Sequence, residues 1–310
     1  MVNVKRDAYG AMFCTSGAKV RFQTVFGVDF SGAALAGKNA WIAEIQVSSS
    51  DSTSPPLKLV DLQPLGRVAG QDQRECVYQW LTDRIVASED ALWGMDFPFG
   101  LPVELELGSW DDQLNHVAMH SGDAKSYGRS LVELARRRRG AIHIRRETDR
   151  ETQTPFDCYH YRIIYQTFHG MRDVLLPIKD SPTSAVMPFQ VNKLARSMTG
   201  KTPTAIRSIV VEACPSSTLK RMQLPHQRYK QTGNKPVDAV HLRNRQLILR
   251  GLREIIQISA HRRRVILSNP GGDALDAVLA GVGAWFGWNR VDHGHIANHG
   301  RFPREGFVYC

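Results

Sequence analysis

The chain is poor in cysteine. Five residues in 310, at positions 14, 76, 158, 214 and 310, are odd in number and form no Cys-x-x-Cys pair. That pattern speaks against a disulfide scaffold or a cysteine zinc site and makes a reducing, cytoplasmic setting the expectation. Long apolar runs are also missing. Nothing approaches the roughly 18 residues a membrane span needs, and the first twenty residues lack the apolar core of a secretory signal, so no membrane partner is expected. There is no internal repeat and no long low-complexity tract. Acid is in deficit: 30 Asp+Glu stand against 40 Lys+Arg, a formal net charge of +10 with His neutral. That balance favours a polyanionic partner. A hydrophobic share of 42% supports a sizeable core and excludes a mainly disordered chain.

Hydrophobic periodicity divides the chain. Residues 1–21 read as a basic leader. Thr24 to Phe30 (TVFGVDF) is rich in β-branched and aromatic residues and predicts a buried strand ending at an acid. Small turn-prone residues lead to a second strand, Ala40 to Val47. After the polar loop 48–56 comes a third, Leu57 to Leu65. Val77, Trp80, Leu81, Ile85 and Val86 recur at helical spacing between Gln71 and Ser88, and Ala91 to Asp96 is again a strand closed by an acid. Residues 100–205 are less regular and read as a mainly helical basic insertion, with a helix near 159–175. The strand signal returns at Ile206 to Glu212. Val237 to Ile258 predicts a helix within a basic helical segment, 226–264. Asp273 to Phe286 predicts a helix apolar on nearly all sides, hence buried. Gly306 to Tyr309 suits a short closing strand. The expectation is one α/β domain over 22–310, with five main strands and flanking helices.

Three of those strands end on a carboxylate: Asp29, Asp96 and Glu212. Asp273 and Asp276 open the last long helix, and residues three apart share a helix face. Strand ends in one sheet bring distant residues together. Carboxylates gathered there repel one another unless a cation lies between them. Mg²⁺ or Mn²⁺ suits oxygen ligands, and a two-ion carboxylate site hydrolyses phosphodiester bonds. Each acid also has a plainer reading. Asp29 before Ser-Gly can form a turn, Asp273 can cap its helix, and Asp276 or Glu212 can hold a private salt bridge. The joint pattern is more specific than any member.

The segments FGVDFSGA (26–33), WGMDFPFGLP (93–102), VVEACPSS (210–217) and GGDALDAVLAG (271–281) resemble the motifs of a family catalogued as domain of unknown function 429, regarded as predicted nucleases with a ribonuclease H-like fold. RRETDRETQTPF (145–156) and YQTFHGM (165–171) resemble its longer members. The resemblance covers most of 24–285. It implies a mixed five-stranded sheet flanked by helices, with antiparallel strands one to three, then helix–strand units, and a catalytic acid on the last helix. On that resemblance Asp29, Asp96 and Asp276 bind metal, Asp273 completes the site and Glu212 is the family's strand acid.

The positive charge has an address. Between Lys220 and Arg264 twelve Lys/Arg face only Asp238 and Glu254, and eight arginines against three acids fall in 128–150. Such blocks suit the phosphate backbone of DNA or RNA. Tyr159, Tyr161, Tyr165 and Phe168 could stack bases, although their spacing more often marks helix core. Arg145, Arg146, Thr148 and Asp149 are candidates to clamp a scissile phosphate through forked hydrogen bonds. Ser31 is placed among the substrate contacts and is not expected to be a nucleophile, because Gly-x-Ser-x-Gly is absent around it. His293, His295 and His299 with Asp292 could suggest zinc, but a glycine-rich loop is the preferred reading.

The leading expectation is a Mg²⁺- or Mn²⁺-dependent nuclease. An ATP-dependent phosphotransferase or ATPase of the actin-like type is the alternative enzyme, but it needs a second phosphate-binding glycine hairpin that this sequence lacks. A non-catalytic nucleic-acid-binding module is the third reading. The acid set argues against it, because those carboxylates repel phosphate.

Overall fold

A computed structural model describes residues 20–48, 55–231 and 236–310. Most of the basic leader, Cys14 and most of the polar loop 48–56 lie outside the described residues.

Among the described residues eight strands form one mixed sheet: β1 Thr24–Asp29, β2 Trp41–Val47, β3 Leu57–Pro64, β4 Ala91–Met95, β5 Ser184–Met187, β6 Ser208–Ala213, β7 Ile256–Gln257 and β8 Val308–Tyr309. Their order is β5-β6-β4-β1-β2-β3-β7, with β8 beside β6. β1, β2 and β3 are antiparallel neighbours, while β4 and β6 run parallel to β1 on its other side. The five expected main strands are present, the closing strand expected at Gly306 to Tyr309 is β8, and two more, β5 and β7, join them. β5, inside the presumed insertion, has four residues, and β7 and β8 have two each. Runs that short do not establish an alternating pattern. The insertion therefore supplies a sheet edge as well as helices.

The helices match expectation in place more than in extent. Arg74–Ala87 lies within the expected 71–88. The insertion carries Trp110–Ala118, Ala124–Arg139 and Ile164–His169, the last running into a π-helical turn, Gly170–Leu175. The helix expected at 159–175 thus starts five residues later, at Ile164. The one expected over 237–258 is Ala239–Gly251, capped by Asp238. Beyond Gly251 the chain turns, and Ile256 pairs with Leu57. The expected 292–299 loop is also corrected. Asp292 caps a helix, His293–Asn298, through the His295 N–H, and the buried His293 faces the Trp288 carbonyl with Nε2. Among the described residues no helix is long and apolar enough to cross a membrane.

Alternation along the strands decides what the two faces carry. Phe26, Val28, Trp93, Met95 and Val210 enter one core with the Arg74–Ala87 helix and the insertion. Val25, Leu92, Ile209 and Val211 enter the other, with the long helix Asp273–Arg290. By the same parity Asp29 and Asp96 belong to the face that this helix covers. Glu212, in step with Val210, belongs to the opposite face.

The helix lies very close to the sheet because glycine permits it. A Cβ on Gly27 would run into Ala277 O and Gly281 N, and one on Gly94 into Ala280 O. Gly27→Ala is therefore expected to destabilise the protein by at least about 1–3 kcal/mol through overpacking. Urea unfolding measures this, and an unchanged midpoint would contradict so close an approach.

Candidate active site

Three carboxylates meet at the carboxyl end of the central strands. Asp29 is the last residue of β1, and Asp96 follows β4 directly. The Asp96 N–H donates to Val28 O at 2.9 Å, which continues the β1–β4 ladder and sets the two acids side by side. Asp276 arrives from the first turn of the Asp273–Arg290 helix. That helix begins at Gly272, whose φ of +87° suits glycine, and the helix dipole favours a carboxylate at this end. One oxygen from each of Asp29, Asp96 and Asp276 lies within 4.8 Å of the others.

Two residues not singled out in the sequence complete this cluster. The Lys230 ammonium pairs with Asp276 Oδ2. The Tyr229 hydroxyl donates to Asp276 Oδ1 at 2.9 Å. Both stand on a loop held by the fully buried Arg245. Its Nε donates to Tyr229 O at 2.7 Å, and its Nη2 donates to Pro270 O at 2.9 Å. Arg245 thereby ties the Tyr229–Lys230 loop to the turn that launches the Asp273 helix. It belongs to the basic block, yet it serves backbone carbonyls.

Burial pushes the Asp29 carboxyl well above its ordinary range, with Asp276, Asp273 and Asp96 adding to the rise and Lys230 opposing it. Asp96 is pushed up to about 7, chiefly by burial and also by Asp276 and Glu212, again against Lys230. Burial works against the Lys230 ammonium, but Asp276, Asp29 and Asp96 hold it well above the usual lysine value. The pocket thus favours positive charge among its carboxylates. An all-oxygen donor set of this kind could hold a hard divalent cation such as Mg²⁺ or Mn²⁺.

The Asp96 shift has a sign that can be tested. Between the ordinary carboxylate value and about 7 the folded chain keeps a proton that the unfolded chain releases. This group favours folding at low pH, and its contribution is lost as pH rises through about 7. Asp96→Asn is expected to flatten that loss. Thermal midpoints in EDTA between about pH 5 and pH 8 read it, and parallel curves for wild type and variant would contradict the shift.

The other expected site residues divide. Asp273 is half-buried in the same helix turn, its carboxyl raised by burial and by Asp276, but it is not among the three clustered acids. Glu212 does not join them either. It lies on the opposite face, where Arg146 grips it in a fork: Nη2 to Oε1 at 2.5 Å and Nη1 to Oε2 at 2.8 Å. The Phe99 N–H adds a third hydrogen bond to Oε2 at 2.9 Å. Glu212 is thus the private salt bridge allowed for above.

The expected phosphate clamp is corrected for the same reason. Arg146 is 1% exposed. Its Nε and Nη2 also donate to Asp149, and Nη1 donates to Glu305 O at 3.0 Å. All five N–H groups are committed, leaving none to fork onto phosphate. Thr148 is fully buried and accepts the Val308 N–H at 2.8 Å, which fixes β8. Arg145 donates to the Thr154 carbonyl. Arg146 and Asp149, with Glu212, do form one wall of a small cavity, about 70 Å³, whose lining includes Asp96, Phe156, Ile163 and Gln166. Ser31 is partly exposed, and its Oγ accepts the Ala33 N–H at 3.4 Å, a turn contact. No family model, no curated protein and no solved structure matches the chain.

Proposed function

We propose that this chain is a divalent-metal-dependent nuclease with a ribonuclease H-like core, in keeping with the family its motifs resemble. The carrying observation is the meeting of Asp29, Asp96 and Asp276 from two adjacent central strands and a covering helix. The strand order supports the fold assignment. Antiparallel β3-β2-β1 continues into parallel β4 and β6, with β5, β7 and β8 as additions at its margins.

In this reading the three aspartates hold Mg²⁺ or Mn²⁺, which would supply Lewis acidity for phosphodiester hydrolysis. The chain's own residues prepare the place. Asp29 and Asp96 shed their retained protons as positive charge enters. Tyr229 fixes the orientation of Asp276, and Lys230 either yields its contact or turns toward a bound phosphate. Arg245 keeps that loop in register with the helix.

Purified protein is expected to cleave DNA or RNA with Mg²⁺ or Mn²⁺ and not in EDTA. Failure on single-stranded, duplex, hybrid and branched substrates alike would remove the nuclease reading. Metal-dependent ATP hydrolysis without nucleic acid would instead favour the phosphotransferase alternative.

A further inference from the structure

A second, larger concavity lies on the insertion. It encloses about 650 Å³ between the Ala124–Arg139 helix and the segment running from Ile142 to Tyr165. Lys125, Arg129, Val132 and Arg136 recur at helical spacing and line one side. Gly128 lets this helix approach Ile164, since a Cβ there would come within 2.9 Å of that side chain. The opposite side presents Tyr161, 70% exposed, and Tyr165, 40% exposed. Neither phenol ring is placed as core. The lining holds one acid, Glu133, and among the described residues Lys125, Arg129 and Arg136 form no ion pair.

This concavity is joined to the carboxylate site by a short piece of chain. His160 contacts Tyr161 at 4.4 Å between ring centroids and stacks on Phe156 at 4.6 Å. Phe156 lines the small cavity beside Asp96. The Arg162 guanidinium lies 5.6 Å from both the Phe156 and the Tyr161 rings. Next to Tyr165, the Gln166 side chain donates to Phe30 O at 2.6 Å, one residue beyond Asp29. One face of the 156–166 segment therefore borders the groove, and the other borders the cavity at Asp96.

We propose that this groove binds single-stranded nucleic acid, with unpaired bases stacking on Tyr161 and Tyr165 and the backbone following Lys125, Arg129 and Arg136 toward the carboxylates. Every base offers a face to an aromatic ring, but a duplex keeps those faces stacked inside itself. Exposed aromatic rings flanked by uncommitted cations thus select the unpaired strand. An acidic protein segment would use the cations and leave the rings without a matching surface. Delivery to the aspartates rests on the nuclease reading, whereas binding in the groove does not.

The test is fluorescence anisotropy on the full chain in EDTA, with a labelled mixed-sequence oligonucleotide and the same strand annealed to its complement. The single strand is expected to bind more tightly. Combined Tyr161→Ala and Tyr165→Ala should weaken it by roughly 5- to 150-fold per stacked base and leave duplex affinity unchanged. The Tyr161→Phe, Tyr165→Phe pair should retain binding. Arg129→Ala with Arg136→Ala should lower the salt dependence by roughly 0.7 per residue in log–log slope. Equal or tighter duplex binding, or no loss in the alanine pair, overturns the proposal. Displacement of the strand by polyglutamate as readily as by unlabelled strand also overturns it, in favour of an acidic protein partner. Single-strand binding without cleavage of any substrate sinks the nuclease reading alone. Cleavage with undiminished binding in the alanine pair sinks the groove alone.

Discussion

On the nuclease reading, Asp29→Asn is expected to lower metal-dependent cleavage by at least about 100-fold, the lower end of what losing one charge-stabilising group costs an enzyme. It should do so without lowering the stability of the metal-free protein. Asp29 is buried beside Asp96, Asp276 and Asp273, and its raised pKa reports a carboxylate whose charge the fold disfavours. An amide of the same shape relieves that repulsion. Asp276→Asn is expected to lose cleavage to the same degree but with a different signature. Asp276 accepts both the Lys230 ammonium and the Tyr229 hydroxyl, so this variant weakens the loop and lowers the thermal midpoint in EDTA. In wild type, Mg²⁺ or Mn²⁺ at about 100 times its dissociation constant is expected to add about 2.7 kcal/mol of stability by mass action. Both variants are expected to lose most of that gain. Wild-type cleavage, or a wild-type metal-induced rise in midpoint, in Asp29→Asn would remove Asp29 from the site.

The contrast between these aspartates also shows where reading the sequence succeeds. β1 is visible as a run of β-branched and aromatic residues and β4 as a short, mostly apolar run, with Asp29 ending the first and Asp96 directly following the second. Asp276 stands out because a charge inside ALDAVLAGVGAWF needs a partner. The same argument flags Glu212 but cannot choose its partner. That choice depends on the register Met95↔Glu212, which places Glu212 in step with a residue of the opposite core. The partner, Arg146, is 66 positions away in sequence and sits in a run of similar arginines. Lys230 and Arg245 are hidden for a related reason. Both belong to the dense basic segment, and composition assigns that whole segment to solvent or phosphate. The structure separates an ammonium among aspartates and a guanidinium buried on carbonyls from their exposed neighbours. Tyr159, Tyr161, Tyr165 and Phe168 illustrate the same limit. Phe168 is buried on the inner side of the Ile164–His169 helix and Tyr165 is exposed on its outer side, whereas Tyr159 and Tyr161 precede that helix, the first buried and the second exposed, so helical spacing does not decide them.

Arg146→Met is expected to cost about 3–5 kcal/mol of stability, the range found when one partner of a buried ion pair is removed. The guanidinium lies between Glu212 and Asp149, which are 3% and 1% exposed, and also holds Glu305 O near the start of β8. Its loss leaves two carboxylates without a counter-charge. Burial already raises the Glu212 carboxyl even with Arg146 present, so in the variant Glu212 gains a proton more readily. The deficit relative to wild type should therefore shrink as pH falls and widen as pH rises. Replacing all three groups together, as Arg146→Met, Glu212→Leu and Asp149→Leu, removes the unpaired charges and should recover much of the loss. Urea unfolding in EDTA at two pH values measures these differences. A phosphate clamp would behave otherwise. Its removal would leave the unfolding midpoint in place and raise KM for the nucleic acid, and that outcome would return Arg146 from the framework of the site to its substrate face.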